Sequence, residues 1–312
     1  VQWDRDGTSA YGTAAVAAFF LVLEQPGPWG RIAARESHLD AALGAELDAR
    51  CAGAGGRFML IRRPGGHADH GGPRRVLVAF AGKRAADAWL LTGDLATPAD
   101  LLGLDWAALA QGDRDLVRSS LPQAADSPPQ LLICTNGRRD VCCAVRGRPL
   151  AAVAAQLAPG RVWEVSHTGG HRFAPTAVLL PWGQTVARLD DASADLALRA
   201  SESGHLPREL LGPLHDRGRS PLSGPAQCAE SHVRALTGET RLGALWAVAP
   251  EPAGGSAEAR VEVAHEDGRR WTVRVHRRPA GHQRPESCGK ASIEVLEYAA
   301  EVVEAPDDPA PR

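Results

Sequence analysis

Residues 131–143, LLICTNGRRDVCC, and 162–173, VWEVSHTGGHRF, decide how this chain is read. Leu131 to Cys134 is a short apolar run closed by polar turn formers, which reads as a buried strand, and Val162 to Val165 reads as a second. Between them the polar loop Thr135 to Val141 leads into a helix that continues to about Leu157, with Pro149 placed in or near its first turn. After the second strand, Gly169-Gly170 demands a tight loop and argues against a helix. Ala177 to Leu180 and Thr185 to Leu189 then form a hairpin around Pro181-Trp182-Gly183, and Asp191 to Ala200 is helical. The order is β-α-β-β-α, an α/β unit.

Working outward, the N-terminal part offers the same order. Phe19 to Glu24 reads as a buried strand, followed by the turn-rich Gln25 to Gly30, taken as a rigid connection that leaves Trp29 exposed. A helix is expected from Ser37 as N-cap through Leu39, Leu43 and Leu47. Strands follow at Phe58 to Arg62 and Val76 to Phe80, an apolar stretch lies near Trp89, and a further helix is expected over Asp100 to Ala110. Pro64-Gly65-Gly66-His67 even rhymes with Thr168-Gly169-Gly170-His171. No Cys ends the first strand, so this half reads as a degenerate copy that has lost its ligands.

The Pro-rich segment Leu121 to Gln130 marks a first boundary, giving segments 1–125, 126–211 and 212–312. The third is read as a small α+β region with a helix around Ala229 to Leu236 and strands at Leu245 to Val248, Arg260 to Ala264 and Trp271 to Val275. Asp267-Gly268 is a strong hairpin signal between the last two. Gly254-Gly255-Ser256 reads as a flexible link and Ala305 to Arg312 as a disordered tail.

The 312 residues can bury a sizeable core, with 44% hydrophobic and 23% charged content of ordinary globular kind. A formal net charge of -2 argues against general nucleic-acid or membrane-surface binding. The apolar run Ala14 to Leu23 is too short to span a bilayer and lacks a basic flank. Six Cys, at 51, 134, 142, 143, 228 and 288, show no spacing of a secreted disulfide scaffold, which makes a reducing cytoplasm the default location.

Two thiolates and two imidazoles, Cys134 and Cys143 with His167 and His171, are a ligand set for iron–sulfur or zinc. They must converge from loops, and adjacent strand ends of one sheet supply such loops. Cys142 is an alternative to Cys143. The bland reading makes these core Cys and loop His. Ser166 and Thr168 are placed to donate to sulfur, and Arg138, Arg139 and Asp140 to support the loop or orient a partner. His67 and His70 resemble a second pair but lack a partner Cys. Cys51 and Cys228 read as structural.

CTNGRRDVCCAVRGRP, VWEVSHTGGHRFAPTAVLLPWG, the early EQPGPWG and the late SCGK, taken in order, resemble the sucrase/ferredoxin-like family. The resemblance implies a thioredoxin-like 2Fe-2S ferredoxin domain with two Cys and two His ligands. The family's C-x8-C spacing is met by Cys134 and Cys143, and its His pair by His167 and His171. The chain is then expected to be an electron carrier rather than a catalyst, proton-coupled through its His ligands. No G-x-G-x-x-G stands at a strand-to-helix junction, so separate redox donor and acceptor proteins are expected. A zinc-binding structural or thiol-redox protein is the alternative. Sucrose hydrolysis finds no carboxylate pair marked by its sequence context.

Overall fold

In this computed structural model, residues 7–69, 71–248, 258–285 and 291–306 are described. The strands of a large sheet are, in chain order, β1 (Phe19–Glu24), β2 (Arg57–Arg62), β3 (Arg74–Phe80), β4 (Trp89–Leu95), β5 (Ala125–Asp126), β6 (Gln130–Cys134), β7 (Val162–Val165), β8 (Ala177–Leu180), β9 (Gln184–Val186) and β10 (Asp216–Arg219). Their spatial order is β10-β9-β8-β6-β7-β2-β1-β3-β4-β5. β1 and β6 are continuous apolar runs because both of their faces are covered.

This order repeats. β1 runs parallel to β2 and antiparallel to β3, which pairs antiparallel with β4. β6 runs parallel to β7 and antiparallel to β8, which pairs antiparallel with β9. The halves join where β2 and β7 meet antiparallel, Ile61 opposite Val165 and Arg62 opposite Glu164. Each half therefore has the same strand order and senses, outward from a common seam.

Helices are α1 (Ala33–Glu36), α2 (Ala41–Gly53), α3 (Trp106–Gln111), α4 (Arg114–Ser120), α5 (Val141–Leu157), α6 (Asp191–Ser201) and α7 (Gly224–Thr237). α2 and α5 are the crossovers between the parallel pairs β1/β2 and β6/β7. Alternate residues of β1 divide between two cores: Phe19, Leu21 and Leu23 pack with Leu47 of α2 and Val117 of α4. Phe20 and Val22 instead share a core with Leu132, Trp163, Val165 and Val178 of the second half. Leu131 and Ile133 of β6 pack with Leu150 and Ala154 of α5 and Ala194 and Leu198 of α6.

A second sheet, β11 (Leu245–Val248), β12 (Glu258–His265), β13 (Arg270–Pro285) and β14 (Ser292–Glu304), is antiparallel throughout and lies in that order. α7 packs Cys228, Ala229 and Val233 on its Val261, Val263, Trp271 and Val273. Asp267-Gly268 forms the expected β12–β13 turn, with Gly268 at φ +95°.

Several expectations need correction. α2 begins after Asp40, whose carboxylate accepts the Leu43 N–H, and not at Ser37, which ends α1. The helix expected over Asp100 to Ala110 divides into a 3-10 turn, Pro98–Gly103, and α3, because Asp105 caps a new start by accepting the Ala108 N–H. Pro149 sits mid-way along α5, not in its first turn. Its ring lacks the N–H that would close one turn of the ladder. Trp29 is buried, its indole Nε1 donating to Gln25 O at 2.7 Å. β10, at residues 216–219 where no strand was expected, joins the large sheet beside β9. Gly254-Gly255-Ser256 and the tail from residue 307 lie outside the described residues.

Candidate functional site

β6 and β7 are parallel with Cys134 beside Val165, so the loops leaving both strands start side by side at one edge of the sheet. The first turn of α5, holding Cys142 and Cys143, follows the β6 loop within seven residues. Gly147 lets this helix press onto the strand end, since a Cβ there would stand 2.3 Å from the Cys134 carbonyl oxygen. The β7 loop turns through Gly169 and Gly170, both left-handed at φ +76° and +67°, a conformation that strongly favours glycine. Together these turns return His167 and His171 to the Cys loop.

Cys134 and Cys143 are buried, Cys142 and His167 half-buried, and His171 buried. Cys142 Sγ lies 3.4 Å from His171 Nδ1. The Cys134 thiol is hydrogen-bonded by Cys143, by His167 and by the backbone N–H of Thr168. All four ligand candidates, and Cys142, therefore fall in one cluster. Within it Cys142 holds the contact to His171, while Cys143 lies between the other two thiols.

The hydrogen bond from Cys143 holds Cys134 well below the usual thiol range against the opposing effect of burial, and His167 adds to this. Cys142 is pulled down to about 5, chiefly by its hydrogen bond with Cys143, with His171 helping. Cys143 is pushed up because it keeps the proton that it shares with both neighbours. The three sulfurs thus form one hydrogen-bonded chain with Cys143 at its centre. Cys51 and Cys228 are the contrast: burial raises both, the latter to about 12, and leaves them inert.

The donors do not share one focus. Among the described residues no group of three or more His, Cys, Asp or Glu side chains is arranged to hold a single metal ion. Their contacts form a chain instead, from His167 through Cys134, Cys143 and Cys142 to His171.

The surroundings are cationic. Arg57 of β2 donates to His167 O at 3.0 Å. Arg217 of β10, fully buried, donates to Gly169 O at 2.9 Å and to Thr13 Oγ1 at 3.0 Å, and its guanidinium covers the face of Gly170 where a Cβ would stand. Burial, with Arg172 and Arg57 nearby, pushes Arg217 down to about 9, while Cys134 and Cys143 favour its charged form. Sequence reasoning missed both arginines. RFMLIR and DRGR gave no sign of aiming at a loop a hundred residues away in one case and about fifty in the other.

Asp140 stands 3.6 Å from His171 Nδ1. Ser166 and Thr168 do not use their hydroxyls on sulfur: Ser166 Oγ accepts the Leu60 N–H, and Thr168 Oγ1 bonds Thr176 Oγ1 at 2.7 Å. His67 turns away from the thiols to Glu164, 3.7 Å away at the seam. His70 and Cys288 lie outside the described residues.

A family model described as sucrase/ferredoxin-like matches residues 12–198. The chain belongs to this family. The sucrase/ferredoxin-like match runs from before β1 into α6, so it takes in both halves of the large sheet and the whole Cys/His cluster, and leaves β10 and the small sheet outside. No curated protein and no solved structure matches the chain. No helix among the described residues is long and apolar enough to cross a membrane.

Proposed function

We propose that the chain is a 2Fe-2S electron-transfer protein whose cluster is held by Cys134, Cys143, His167 and His171 on a thioredoxin-like ferredoxin unit, residues 126–211. The observation that carries this reading is the convergence of three thiols and two imidazoles from the loops that leave two parallel strands. Two Cys and two His are a donor set that an iron–sulfur group accepts, and the family resemblance favours two irons over one zinc. The β-α-β-β-α order with β9-β8-β6-β7 strand order agrees with the thioredoxin-like unit implied by the family resemblance. Cys142, the thiol nearest His171, is the alternative second Cys ligand.

Bound there, the cluster would supply one-electron chemistry at a potential raised by neutral imidazole in place of thiolate. The protein's part is to position and to manage protons. Asp140 and Cys142 both approach His171 at Nδ1, so a carboxylate beside the imidazole would orient it and favour its protonated form. Arg57 and Arg217 pin the backbone of the His loop by its carbonyls and favour added negative charge nearby. Donor and acceptor are separate redox proteins in this reading, and no nucleic acid or membrane is involved.

Anaerobic purification tests it. A red-brown protein with about two irons and two acid-labile sulfides per chain is expected. A colourless chain with one tightly held zinc would replace this reading with a structural or thiol-redox role.

A further inference from the structure

Beside His167 lies a cavity of about 220 Å³, walled by Arg31, Arg57, Arg139, Asp48, Asn136 and His167 among others. It opens between the two halves of the molecule: Arg31 and Arg57 come from the first, and Asn136, Arg139 and His167 from the second. Three guanidinium groups face it against one carboxylate. Among the described residues none of the three arginines forms an ion pair. Burial disfavours the charge of Arg57 and the nearby Arg139 adds to this, against Cys134 and Asp48. Arg57 and Arg139 are half-buried and Arg31 is exposed, and Asp48 alone faces the three with opposite charge, so the cavity carries surplus positive charge of the kind that suits an oxyanion.

We propose that this cavity binds a small oxyanion, a phosphate or carboxylate group, against Arg31, Arg57 and Arg139 at the edge of His167. The volume is below that of an ordinary cofactor pocket, roughly 300–1,000 Å³, so the occupant is a single anionic group rather than a nucleotide. Arg57 links the site to the His loop, since the same side chain donates to His167 O. Resting on the cluster reading, a second consequence follows. An anion beside His167 disfavours an added electron, so binding lowers the reduction potential, and reduction in turn weakens the anion's hold by the same factor.

Calorimetric titration of inorganic phosphate, and separately of acetate, into the full chain at fixed ionic strength tests the site. Saturable binding at one site is expected, weakened about tenfold by Arg139→Ala and by Arg31→Ala, and unchanged by Arg118→Ala on the distant, exposed face of α4. Binding of phosphate alone would make the natural ligand a phosphate, and binding of both would admit carboxylates. Binding of neither, or binding indifferent to both cavity arginines, overturns the proposal. In iron-loaded protein a lower midpoint potential in saturating phosphate than in chloride is expected, and an unchanged one overturns the linkage. A chain that binds phosphate here but takes up no iron would remove the cluster reading and leave the anion site standing.

Discussion

The two halves of the large sheet have the same strand order and opposite fates at equivalent places. The last residue of β6 is Cys134, whereas the last residue of β1 is Glu24. The second and third residues of α5 are Cys142 and Cys143, whereas those of α2 are Ala42 and Leu43. Where the second half gathers thiols, the first has a cavity of about 740 Å³ lined by Gln25, Ala42, Leu43 and Leu102. Only the Gly-Gly-His loop persists in both, and His67 has turned to Glu164. The same backbone order thus carries two different sets of side chains, and any chemistry rests on those rather than on the order.

The largest expected effect breaks the comparison at its one shared residue. His171→Ala should abolish iron and sulfide uptake, while His67→Ala should leave both unchanged, read by metal analysis and visible absorption. Equal losses from the two substitutions would mean that the first half contributes to the centre.

Next is the seam itself. Arg62 and Glu164, both buried, pair at 2.7 Å, and Thr135 Oγ1 also donates to Glu164. Glu164→Ala leaves a buried guanidinium without its carboxylate, and should cost about 3–5 kcal/mol in urea unfolding. The exposed Glu46–Arg50 pair of α2 should lose under about 1 kcal/mol on Glu46→Ala. If the two cost the same, the seam is not where the halves are held together.

The two glycine loops sharpen the contrast at smaller scale. Gly170 needs its left-handed φ, and a Cβ would lie 2.4 Å from Arg217 Nη2, so Gly170→Ala should cost about 1–3 kcal/mol. Gly66 has no such backbone demand and a Cβ there would come no nearer than 3.1 Å to Arg63, so Gly66→Ala should fall within about 1 kcal/mol of the parent. Thermal unfolding of the pair measures the difference. A sequence alone shows the rhyme of these loops but not this asymmetry, because the packing partner comes from β10.

That pattern governs what was legible. β1, β6 and β7 are short buried apolar runs, and such runs report themselves. The Cys and His loops were legible because soft donors and paired glycines are rare and local. β14 was not recognised: SIEVLEYAAEVVE mixes Glu and Ala with apolar residues, and its strand state depends on pairing with β13. Nor was the cationic surround. DRGR reads as surface, yet Arg217 and Arg219 are buried, Arg219 because Glu230 of α7 pairs with it. Long-range partners of this kind leave no periodic trace.

The smallest effect separates two aspartates that stand in the same place. Asp40 and Asp140 each precede a crossover helix, but only Asp40 accepts a helix N–H, from Leu43 at 2.8 Å. Asp140 makes no side-chain cap to α5 and lies instead against His171, where its charge also opposes the thiolate of Cys142. Asp40→Ala should therefore lower stability by about 1 kcal/mol and leave thiol chemistry alone. Asp140→Asn should act on the thiol. In metal-free protein Cys142 is expected to react with iodoacetamide as a thiolate from about pH 5 upward, rather than from the ordinary thiol range. Removing the Asp140 charge removes an influence that raises the Cys142 value, so the midpoint should move to lower pH. An upward move would mean that Asp140 serves Cys142 chiefly by holding His171 in its charged form, and the second half would then have given up a helix cap in exchange for an imidazolium.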